Sequence, residues 1–204
     1  MLHVQKQEAE EHELKTVQVL PDGYIERCTI DLQKNKKEAV IVNVLSALIA
    51  LVMFAMMERK LPFMKWTDEM LAAKQLMPAL AAIVLGMLIY VILHEFTHGA
   101  VMRLMGGKQI RYGFTGMYAY AGSEEDYFPK RQYLCIALAP VLVWGIIFLI
   151  MQLLFPGWEW VVWFLQIANV GGAAGDIYVS AKVSRMSSTI LVRDTGVSMT
   201  VFDA

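Results

Sequence analysis

Four apolar stretches decide what this chain can fold into: EAVIVNVLSALIALVMFAMM (38–57), MPALAAIVLGMLIYVILHEFTHGAVMR (77–103), QYLCIALAPVLVWGIIFLIMQLLF (132–155) and WEWVVWFLQIANVGGAAGDIYVSA (158–181). Each approaches or exceeds the roughly 20 residues that span the hydrocarbon core of a bilayer. Lipid offers no partner to backbone amides and carbonyls, so each span is expected to be helical. With 57% hydrophobic residues in 204, the chain reads as an all-α integral membrane protein of about four transmembrane helices, with small β-hairpins in the cytoplasmic loop and tails. The expected layout is a polar cytoplasmic tail over 1–37, a four-span core over 38–182 and a cytoplasmic C-terminal hairpin over 183–204.

Charge sets the orientation. Of the 18 Lys and Arg, 14 fall before the first span, between the second and third, or after the fourth. The remaining four (Arg59, Lys60, Lys65, Lys74) lie between the first and second. The positive-inside rule then places both termini in the cytoplasm. A net charge of -1, with the charges gathered between apolar runs, argues against nucleic-acid binding. MLHVQKQEAEEHELKTVQ lacks the basic-then-apolar layout of a cleaved signal peptide, so insertion is expected to rely on the internal segments. A prokaryotic plasma membrane is the expected location. Cys28 and Cys135 have no spacing that suggests a disulfide framework or a metal site, and read as packing residues.

Between the spans three segments carry turn signals. VQVLPDGYIERCTIDL alternates around Pro-Asp-Gly, STILVRDTGVSMTVF around Asp194-Thr195-Gly196, and KQIRYGFTGMYAYAG around Gly116, each as a hairpin would. LPFMKWTDEMLAAKQ reads as an interfacial segment with Trp66 at headgroup level. Asp194-Thr195-Gly196 also matches the triplet of aspartic proteases, but a second copy is absent. It is therefore read as a turn.

The chemistry concentrates in His94-Glu95-Phe96-Thr97-His98, placed where an apolar helix should exclude ionisable groups. Histidines four apart share a helix face and can grip one zinc ion, while Glu95, rotated by about 100°, is free to act as general base on water. A catalytic zinc wants a third protein ligand and keeps its fourth position open. His3 and His12 sit in the polar tail, so a carboxylate is the better candidate. Asp176 follows sixteen uncharged residues of the fourth span, where an unpaired aspartate is costly and a cation would relieve the cost. Asn169, almost two turns earlier, is expected on the same face, as a contact to the substrate carbonyl or its oxyanion. Gly171, Gly172 and Gly175 would let this helix press on the second span. Glu124, Glu125 and Asp126 read as a solvated loop that holds the fallback third ligand. Pro140 reads as a structural residue of the third span.

These residues resemble the site-2-protease-like intramembrane zinc metalloproteases, and within them the small DUF3267-type zincin peptidases. HEFTH in a transmembrane helix, ALAPVLV in the next span and NVGGAAGD with its aspartate carry the likeness, which extends over roughly residues 80–200. In that superfamily the third ligand commonly sits in an Asp-Gly pair, whereas Asp176 precedes Ile177. No PDZ-like insertion is present. The resemblance implies Zn2+ as cofactor, with His94, His98 and Asp176 as ligands. It also implies Glu95 as catalytic base, and a transmembrane protein or membrane-associated peptide as substrate. A different class, a non-proteolytic membrane protein with a structural metal, such as a transporter subunit, has no use for Glu95. Metal transport would need further intramembrane carboxylates or histidines along a path, and the spans offer almost none.

Overall fold

The computed structural model describes residues 15–116 and 118–204. Among the described residues it is mostly helical, with three helices long and apolar enough to cross a membrane: α1 (Lys36–Lys60), α3 (Leu76–Leu104) and α4 (Lys130–Leu154). A short α2 (Phe63–Ala72) links the first two. Leu48, Leu51, Leu88, Ile92, Leu142 and Ile146 on the three long helices point outward and are exposed, as lipid-facing residues would be.

The expected fourth span is not one helix. It is divided at Ala173 into α5 (Glu159–Gly172) and α6 (Ala174–Ser184), and neither half has the length of a span. Gly171 and Gly172 supply the poor helix formers before the break, and Gly175 follows it. Nor do these glycines face the second span. A Cβ at Gly171 would meet Ser46 of α1, one at Gly175 would meet Leu32, and one at Gly172 would meet nothing. The close approach between α3 and α5 is made instead at Gly86, where a Cβ would lie 3.0 Å from a Leu165 methyl.

Two sheets gather at one pole. Antiparallel strands β1 (Ile25–Ile30), β6 (Met199–Asp203), β5 (Leu191–Asp194) and β4 (Phe128–Pro129) form one sheet in the order β1-β6-β5-β4. Strands β2 (Arg111–Phe114) and β3 (Ala119–Gly122) form the other. Two of the expected hairpins are present, as β2–β3 and β5–β6. The N-terminal one is not: after the Pro21-Asp22-Gly23 turn, β1 pairs with β6, and Val17 bridges Tyr127. A lone two-stranded hairpin is marginal in water, whereas β6 offers a preformed apolar edge. Ile30, Phe128, Ile136, Val183, Val192 and Val201 then close one core between this sheet and the helix ends.

At the opposite pole Trp66 of α2 is packed inside the protein, 1% exposed, with its indole N–H donating to the Gly157 carbonyl at 2.9 Å. Trp160 does likewise to Leu61 at 3.0 Å, and the two indoles join Met57 and Met70 in one cluster. Cys28 packs beside the first core, while Cys135 lies exposed on α4.

Candidate metal centre

HEFTH falls near the C-terminal end of α3, next to the pole that holds both sheets. His94 and His98 lie one above the other on its inner face and are buried. Because the chain breaks at Ala173, Asp176 sits in the first turn of α6 and reaches them: His94 Nε2 is 3.3 Å from Asp176 Oδ2, and His98 Nε2 is 3.6 Å from Asp176 Oδ1. The donor atoms of the three all lie within 4.8 Å of one another. A tetrahedral zinc with bonds of about 2.0–2.1 Å spaces its ligands by about 3.3 Å, so these residues fit that ion. Glu95 lines the same cavity of about 230 Å³ and takes a backbone hydrogen bond from Ala121 of β3.

Each histidine is oriented from behind. The Tyr90 hydroxyl donates to Asn169 Oδ1 at 2.7 Å, so its oxygen is left to accept from His94 Nδ1, also at 2.7 Å. His98 Nδ1 donates to the Ile136 carbonyl at 3.0 Å. With Nδ1 protonated in both rings, both Nε2 lone pairs face the position between the ligands. The Ile136 carbonyl is available because the residue four positions on is Pro140, which has no N–H to fill it. Pro140 is thus structural, as expected, and serves His98.

Asn169 has its amide occupied by groups of the protein. It is fully buried, its Nδ2 donates to Val141 O at 3.1 Å, its Oδ1 is taken by Tyr90, and it does not line the cavity that holds Glu95 and the histidines. It still shares a face with Asp176, since Tyr90, which it meets, and His94 and His98, which Asp176 meets, lie along one face of α3. Tyr90 was missed by sequence reasoning although its signal was there: 90, 94 and 98 share one helical face.

The acidic loop is not at the centre. Glu124 pairs with Arg111 at 3.3 Å and Glu125 with Gln109. Asp126 is fully buried rather than solvated: its carboxylate accepts from the Lys108 and Gln109 amides, Ser123 and Gln18. Burial alone would raise its carboxyl, but these donors outweigh it and hold it below the usual carboxylate range. His3 and His12 lie outside the described residues.

A model of the DUF3267 family, described as "Putative zincin peptidase", matches residues 87–191, which contain the whole constellation. This chain belongs to that family. No curated protein and no solved structure matches it. Membership makes a zinc metallopeptidase activity the family expectation for these residues.

If the supports behind the histidines matter, Tyr90→Phe and Pro140→Ala are expected to leave the chain folded but weaken zinc binding by about 10–100-fold, the usual effect of removing an outer partner. Competition with a chromophoric chelator measures it. Unchanged affinity in both variants would deny the supports a role.

Proposed function

We propose that this chain is a site-2-protease-like intramembrane zinc metalloprotease that hydrolyses peptide bonds in or near transmembrane segments. The observation that carries the reading is the convergence of His94, His98 and Asp176, with Glu95 in the same cavity, at the end of a helix long and apolar enough to cross a membrane. Zinc held by these three would supply Lewis acidity, lowering the pKa of its bound water towards about 7.

The rest is done by side chains of the chain. Glu95 takes a proton from the attacking water as its oxygen bonds to the scissile carbonyl carbon. When the C–N bond breaks, Glu95 passes that proton to the departing amine. Tyr90 and Ile136 keep the two imidazoles from turning. With Asn169 engaged elsewhere, we assign it to positioning through Tyr90 rather than to the oxyanion. Peptide hydrolysis needs an extended backbone, and we assign the β2–β3 hairpin to hold one as an added strand, a reading supported by Ala119 and Ala121 lining the cavity and by Tyr112 packed on Phe96 and over Gly99. The distribution of Lys and Arg favours a cytoplasmic location for this pole and both termini.

The purified chain in lipid vesicles is expected to cut a single-span reporter, to stop when zinc is removed by a chelator, and to recover on zinc addition. Cleavage that persists after zinc removal contradicts the reading. A zinc-loaded chain that cuts none of a panel of reporters favours the structural-metal alternative.

A further inference from the structure

The pocket that holds the histidines opens into a second cavity of about 670 Å³, and the two share Tyr118, Tyr133, Gly175, Asp176, Asp194 and Gly196 in their walls. The larger one lies between the start of α1, the end of β1 and the turn of β5–β6, within the roughly 300–1,000 Å³ of ligand sites. Its walls are mainly apolar, through Leu32, Val42, Val179 and Met199. No Lys, Arg or His is among the described residues that line it. Two carboxylates do, Asp176 and Asp194, and Asp176 is engaged with the histidines.

Asp194 is held in place by neutral donors. Its Oδ1 accepts from the Gly196 amide at 2.8 Å, and its Oδ2 from the Tyr133 hydroxyl at 3.1 Å. Neither donor carries a charge, and each carboxylate oxygen keeps a further lone pair. Among the described residues it has no ion pair, although a half-buried carboxylate is costly without one. Its turn is rigidly seated: Ser123 N donates to Asp194 O at 2.6 Å, and a Cβ on Gly196, whose φ is +79°, would lie 2.6 Å from the Tyr120 ring. The Asp-Thr-Gly triplet is a turn, as its sequence suggests, and its Asp194 and Gly196 also line the larger cavity.

We propose that Asp194 is a specificity subsite for a cationic group of the substrate, an ammonium or guanidinium a few residues from the scissile bond. The proposal rests on the protease reading and names its substrate class. A segment that leaves the membrane at a cytoplasmic face is flanked by Lys and Arg, which supplies the counter-charge that the cavity lacks. The aliphatic stem of such a side chain suits the apolar walls, with its charge at Asp194.

The test is fluorescence anisotropy of labelled single-span peptides on the zinc-loaded full chain carrying Glu95→Gln, with cleavage by the Glu95 chain followed separately. One peptide is N-acetylated with a juxtamembrane Lys, a second has Ala there, and a third has Ala with a free N-terminal amine. The Lys peptide is expected to bind about 10-fold tighter than the acetylated Ala peptide, about one strong charge-assisted contact. A preference carried only by the third peptide makes the bound cation a terminal amine. Asp194→Asn, which keeps an acceptor for the Gly196 amide, is expected to abolish the preference, and Asp194→Lys to reverse it toward a Glu peptide. Equal affinity for all three peptides, or a preference that survives Asp194→Asn, overturns the subsite. A binding preference without any cleavage by the Glu95 chain would instead sink the protease reading and leave the subsite standing.

Discussion

Glu95→Gln is expected to lower peptide cleavage by about 10³-fold, within the range for loss of a positioned general base, while leaving zinc content unchanged. Glu95 is not among the three residues whose donor atoms converge, so its carboxylate can be removed without opening the ligand set. It lines the cavity and is half-buried, close enough to the ligands for water between them to reach it. Glutamine keeps the volume and one acceptor but cannot take up a proton. Cleavage at the rate of the unaltered chain would remove Glu95 from the chemistry.

Gly122→Ala has the largest expected effect on stability. A Cβ there would lie 2.1 Å from the Thr195 carbonyl carbon and 2.3 Å from the Gly196 amide, both backbone atoms that no rotamer change can move. Only separation of β3 from the β5–β6 turn relieves the clash, and the Ser123–Asp194 hydrogen bond goes with it. A loss of about 3 kcal/mol is expected, at the upper end for overpacking. The control is Gly116→Ala, where φ is +87° but nothing lies within 4 Å, so only a backbone cost of about 1 kcal/mol applies. Thermal denaturation in detergent ranks the two. If Gly122→Ala melts no lower than Gly116→Ala, the turn and the hairpin are not pressed together as described.

What could be read from residues alone followed from strong local signals. The spacing of His94 and His98 is a helix property, so their shared face held once α3 was a helix. Asp176 was singled out by cost, as a carboxylate in apolar surroundings, and that argument needs no geometry. Asn169 was legible as a neighbour of that face, but the contacts to Tyr90 and Val141 that occupy its amide are created by packing, and the run Gly171–Gly172 hid the division of the helix inside an apolar stretch. The same apolar content made 158–181 look like one span. Asp126 was misjudged because three acidic residues in a row resemble a solvated loop, and only the fold brings Lys108, Gln109 and Gln18 around one of them. The pairing of β1 with β6 joins residues more than 160 positions apart and leaves no local mark. Tyr90 and Pro140 were legible as positions but not as roles, since each acts on a histidine through a contact that only packing creates.

The central claim is that His94, His98 and Asp176 hold one zinc ion between α3 and α6. Elemental analysis of the purified chain and of His94→Ala, His98→Ala and Asp176→Ala tests it most directly. About one zinc per chain is expected in the unaltered protein and close to none in each variant, the usual result of opening a three-ligand site. Full zinc content in Asp176→Ala, or none in the unaltered chain, would contradict the account.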